Sequence, residues 1–191
     1  MKRPSATGFT LVELLVSIGI FTLITTVSVF NYSTFNASVA LTNLAYEVAL
    51  SVRQAQFYGI TVKQSASSGG FDSGYGVHFT TANAYTLFED RDRDHIYDTT
   101  PEEALETYSI QKGNTISRIC VVSTSVDCSP TSLDLSFVRP NPDTFIVKNG
   151  VAGVYYASAI VCLSSPKGTY RKVLVEATGQ ISVSTDSTNC I

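Results

Sequence analysis

From Phe9 to Phe30 the chain reads FTLVELLVSIGIFTLITTVSVF, apolar or small at nearly every position and charged only at Glu13. A run of about 22 such residues spans roughly 30 Å as a helix, the thickness of one bilayer core, and predicts a membrane-crossing helix over 9–30. Between 31 and 59 the pattern turns amphipathic. Leu41, Leu44, Val48, Val52 and Ala55 recur at three- and four-residue steps and share one helical face. Ser33, Ser38 or Thr42 caps a break in this stretch, or one helix runs straight through, and Gly59 supplies a C-terminal stop. From Ile60 onward the period changes to two. Tyr75, Val77 and Phe79 alternate, turn at Thr81-Ala82-Asn83 and return through Tyr85 and Leu87. Leu133, Leu135 and Phe137, then Phe145 and Val147, the stretch 156–163, Val173–Val175, and Ile181 with Val183 continue in the same way. A long helix followed by hairpins predicts an α+β fold, with the N-terminal helix packed on an antiparallel β-sheet globular domain.

Composition adds little to this picture until its distribution is considered. Charged residues make up only 15% of the 191, and the apolar excess sits in the first 30. The net charge is −3, with Lys2 and Arg3 ahead of the apolar run, so the remaining body is mildly acidic and exerts no general pull on nucleic acid. No GxSxG, HExxH or phosphate-binding glycine loop occurs, and His78 and His95 lie apart, so the chain reads as a non-enzyme without an obligate cofactor. Cys120, Cys128, Cys162 and Cys190 form no CxxC pair, which argues against zinc and for two disulfides in an exported chain. Sequence alone leaves three pairings open. The favoured one joins Cys120 to Cys128, closing a short loop that exits through Ser129-Pro130, and Cys162 to Cys190, tying the C-terminal stretch to a strand.

An ordinary secretory signal is cleaved after its apolar part, at a small-residue site that is poorly met around SVFNYSTFNAS. A simple signal anchor fits the length but explains neither Gly8 nor Glu13. Lys2-Arg3 followed by Gly8-Phe9-Thr10-Leu11-Val12-Glu13-Leu14-Leu15 resembles the class III signal of type IV pilins and type II secretion pseudopilins. That resemblance implies a prepilin peptidase that cuts between Gly8 and Phe9 and methylates the Phe9 amine. It implies further that Glu13 meets the new amine of a neighbouring subunit as helices pack in a filament. The implied division is a leader over 1–8, a transmembrane and filament-core helix over 9–30, an amphipathic helix over 31–59 entering the domain, and a β-rich domain over 60–191. The chain would cross the cytoplasmic membrane once, then join an extracellular or periplasmic filament of pilin or pseudopilin subunits. Many major pilins carry a proline some twenty residues into the mature helix. This chain has none between Pro4 and Pro101 and places Gly19, Thr22, Thr25, Thr26 and Ser28 there. The order of elements, with QAQFYGITVK and the closing RKVLVEATGQISV, is similar to the H-type pseudopilin and FimT-like minor pilin group. The rival reading is a signal-anchored monomeric binding domain.

Two polar stretches carry candidate chemistry. In EDRDRDHIYD, Asp90, Asp92 and Asp94 alternate and Asp98 follows, the spacing at which a loop offers hard oxygen ligands to calcium. His95 stands where such loops place a turn glycine, Pro101 where they place a bidentate Glu, and Arg91 and Arg93 add positive charge. A solvated hairpin tip is the alternative. Lys167, Arg171 and Lys172 make a small basic hairpin. Some FimT-like minor pilins bind DNA during transformation, but three charges without interleaved aromatics argue for ordinary solvation instead.

Overall fold

A computed structural model describes residues 8–61, 63–65, 69–99 and 103–190. Lys2, Arg3, Val62, Pro101 and Glu102 lie outside the described residues, as do most of the leader and part of the SASSGG loop. The chain divides into two compact units, Met1–Ala37 and Ser38–Ile191. A single helical assignment, α1 (Leu11–Ile60), runs from the first into the second. No break occurs at Ser33, Ser38 or Thr42, and the helix closes at Ile60, one residue past the expected stop.

In the first unit the large apolar side chains are exposed, from Phe9 at 72%, just ahead of α1, to Val29 at 72%. By length and composition this segment is able to cross a membrane. Its hydroxyls are satisfied internally, as a lipid environment demands. Ser17 Oγ donates to the Glu13 carbonyl, Thr22 to Ile18 and Gly19, Thr25 to Phe21 and Thr22, Thr26 to Thr22, and Ser28 to Ile24. These five hydroxyls therefore add no unpaired donor to an otherwise apolar surface.

The second unit joins the C-terminal half of α1 to two five-stranded antiparallel sheets. The first has the order β3 (Ala104–Ser109), β2 (Ala84–Asp90), β1 (Gly74–Thr80), β6 (Ser132–Phe137), β7 (Thr144–Lys148). The second has the order β10 (Ile181–Ser184), β9 (Tyr170–Glu176), β8 (Ser158–Ser164), β4 (Thr115–Val122), β5 (Val126–Asp127). The alternation read from the sequence sets the main core. Leu41, Leu44, Val48, Val52 and Ala55 meet Val77, Phe79, Tyr85, Leu87, Leu133, Leu135 and Phe137 of one sheet. From the other sheet they meet Ile119, Val121, Val161, Val173 and Val175. Helix and sheet approach closely at Gly59, where a Cβ would fall on the Phe137 carbonyl.

Successive strand residues face opposite sides, and the sides away from this core are also covered. In the second sheet Cys120, Ile160 and Cys162 form a small outer cluster with Cys190, packed by Val122 and Leu174. In the first sheet the outer side carries Phe88, Asp90, His78, Asp134 and Ser136, and the segment 91–98 folds back over it. Tyr97 packs against His78 and Phe88 with ring centroids 4.9 and 5.6 Å away. Polar positions that alternate with the core in the sequence are thereby buried, Asp134 and Ser136 among them.

Candidate functional site

Thr10 precedes the first helical residue and Glu13 lies three beyond it, the spacing of a capping box. Glu13 N donates to Thr10 Oγ1 at 3.2 Å, while Thr10 Oγ1 and Thr10 N reach Glu13 Oε2 at 3.3 and 3.5 Å. Glu13 thus closes the start of its own helix, next to the exposed N–H groups, where a carboxylate is electrostatically favoured. The T-x-x-E spacing is the signal in the sequence that marks this role. Gly8 is different. An added Cβ there would meet nothing within 4 Å, and its backbone is outside the left-handed region. Neither packing nor conformation of the folded chain calls for glycine at that position.

The acidic segment is a built loop. Glu103, buried, accepts from Arg91 N at 2.8 Å and from Asp98 N at 3.1 Å, pinning both ends of the excursion. Burial pushes its carboxyl up to about 7, against the lowering effect of those two donors, and the Asp90 and Asp92 charges add to the rise. Within the loop Asp92 Oδ1 accepts from Asp94 N and Asp94 Oδ1 from Ile96 N. His95 takes the left-handed conformation, φ 70°, that glycine would fill more easily. Its ring stacks on Phe145 at 3.8 Å between centroids and its Nδ1 lies 2.8 Å from Ser136 Oγ, contacts that offset the strain. Among the described residues, the carboxylates of Asp90, Asp92 and Asp94 come within 4.8 Å of one another, and Asp98 is not in that group. Asp94 is raised by partial burial first and by its acidic neighbours second. On the same side of the sheet His78 Nδ1 and Asp134 Oδ1 stand 2.6 Å apart; burial raises Asp134, opposed by that hydrogen bond.

The cysteines pair as Cys120–Cys128 and Cys162–Cys190. The basic residues do not form one patch. Arg171 turns to the helix, donating to Thr42 Oγ1 and Ser38 Oγ at 3.1 Å each. Lys172 donates to Asp186 at 2.6 Å, and that contact holds the Asp186 carboxyl well below the usual range. Lys167 is exposed in the β8–β9 turn.

Residues 3–29 match the family described as the prokaryotic N-terminal methylation motif. No curated protein and no solved structure matches the chain. This motif is the class III signal of type IV pilins, and here it stands at the start of a long apolar helix, ahead of a body of antiparallel sheets. The motif implies processing by a prepilin peptidase and assembly with other pilin subunits.

Proposed function

We propose that this chain is a structural subunit of a type IV pilus or a type II secretion pseudopilus. It is trimmed between Gly8 and Phe9, methylated on Phe9, held in the cytoplasmic membrane by residues 9–30, and drawn into the filament through Glu13. The observation that carries this reading is the methylation motif set directly on an apolar helix. Gly8 supports it, because a glycine the fold does not need is one that another protein reads. A carboxylate without a counter-charge in lipid costs several kcal/mol, and the amine created at Phe9 is charged near neutral pH. Docking of that amine from one subunit on Glu13 of the next relieves the penalty and sets the register. The cap at Thr10 uses Oε2, which leaves Oε1 for the neighbour.

Further support comes from α1 beyond the membrane segment. Val39, Tyr46, Leu50 and Phe57 fall at seven-, four- and seven-residue steps on the side opposite the packed face, exposed at 40, 57, 64 and 61%. An apolar stripe of this kind suits helix-to-helix contact between subunits. Two of the three basic hairpin residues are engaged within the chain, so DNA contact is not part of the reading.

Intact mass of the protein taken from membranes tests it. The expected product lacks residues 1–8 and carries one added methyl on Phe9, and a chain that keeps Met1 would overturn the proposal. Glu13→Ala should be trimmed and inserted yet excluded from filaments that contain normal subunits; incorporation at the wild-type level would remove Glu13 from assembly.

A further inference from the structure

We propose that Asp90, Asp92 and Asp94 hold a calcium ion at the end of β2, on the outer side of the first sheet. The inference is independent of the filament reading. It starts from Asp90, which is fully buried and has no hydrogen-bond partner on either carboxylate oxygen. Leaving such a group unpaired is costly, and its surroundings do not supply the missing partner. His95 Nδ1 comes to 3.4 Å from Asp90 Oδ2 but lies closer to Ser136 Oγ, at 2.8 Å. That ring nitrogen is engaged with Ser136, and Asp90 takes no hydrogen bond from it. The two arginines that would neutralise the loop are turned elsewhere. Arg91 Nε faces Glu89, 3.8 Å away, and Arg93 Nε donates to the Asp72 carbonyl at 2.6 Å. The buried carboxylate instead lies with those of Asp92 and Asp94.

Chemistry selects the ion. Three carboxylate oxygens within 4.8 Å of one another are close enough to share one hard cation. Calcium accepts the irregular geometry of a loop, whereas magnesium demands a near-ideal octahedron and gives up its water reluctantly. Asp92 is exposed and Asp94 half-buried, so the site opens to solvent on one side, and water completes the six to eight ligands calcium takes. Both aspartates use one oxygen for turn hydrogen bonds, which an asparagine retains. Asp92→Asn with Asp94→Asn consequently removes charge and keeps the loop's backbone contacts.

The test uses the full-length protein in detergent, melted in calcium chloride, in magnesium chloride and in chelator. A ligand that binds only the folded state at a hundredfold excess over its Kd raises Tm by about 5–10 °C in a chain of this size. We expect that rise in calcium, little in magnesium, and one calcium per chain by equilibrium dialysis. The double variant should lose the calcium response and should melt higher than wild type in chelator, because like charges have been removed. Asp92→Asn alone, at an exposed position, should weaken binding at least tenfold and serves if the double variant does not fold. An unchanged wild-type Tm across the calcium series, a calcium rise of equal size in the variants, or an equal rise in magnesium would each overturn the assignment.

Discussion

Glu103 is the residue on which the 91–98 segment turns, since its two oxygens hold the backbone at both ends. Its carboxyl titrates near 7 when folded against an ordinary value of 4.5, so the folded state binds its proton more tightly than the unfolded chain does. By linkage its contribution to stability is complete below the ordinary value and is lost as pH rises through about 7. Glu103→Gln removes the titration while keeping one acceptor oxygen. In chelator, the stability of wild type relative to this variant should fall between pH 4.5 and 7 by on the order of 1–3 kcal/mol, measured by denaturant melts at each pH. Parallel pH profiles would leave Glu103 as a plain structural acceptor. The candidate site was only half legible at this scale. The D-x-D-x-D spacing marks the three carboxylates that come together, but that Asp90 is sealed off while Asp92 is open depends on the loop folding over Ser136 and Asp134, a long-range contact that no local pattern encodes.

The elements themselves were legible wherever one face is buried and the other is not. The step of three and four placed the packed side of α1 correctly, and alternation placed β1, β2, β6, β7, β9 and β10. The strands β3 and β4 escaped for two reasons. Β3 is an edge strand with no fully buried residue, so its sequence has no apolar alternation to read. In β4 the pairing with β8 shifts register between Ile116 and Arg118, which breaks the period of two within the strand. Ile60 was expected to be extended and is instead the last helical residue. The junction that fixes the helix against β6 is Gly59, and there the absence of a side chain matters. Gly59→Ala must displace the Phe137 backbone, and despite alanine's better helix propensity we expect a net loss of about 1–3 kcal/mol in chemical denaturation. A neutral or stabilised variant would mean the helix end shifts freely.

At the scale of the whole molecule one helix carries both the apolar segment and the packed face of the body, and its outer stripe is left exposed among the described residues. Replacing Tyr46, Leu50 and Phe57 together with serine removes exposed apolar surface only, so the isolated subunit should lose little beyond roughly 0.5 kcal/mol per site. Filaments, scored by sheared surface fraction against total membrane protein, should contain several-fold less of the variant. Normal incorporation would assign the stripe to lipid or solvent alone. The disulfides add a constraint of another kind. Cys120 and Cys128 are separated by 8 positions and Cys162 and Cys190 by 28, and both pairs close on the same outer patch of the second sheet. Such bonds form on the oxidising side of a membrane. In the proposed export the first crosslink is available as soon as residue 128 has crossed, whereas the second must wait for residue 190. Translocation therefore acts as a clock for this domain: a subunit caught partway through the membrane carries one covalent staple and an unpaired Cys162 thiol, so a thiol-directed quality-control step has a chemical means of telling a partly exported subunit from a finished one.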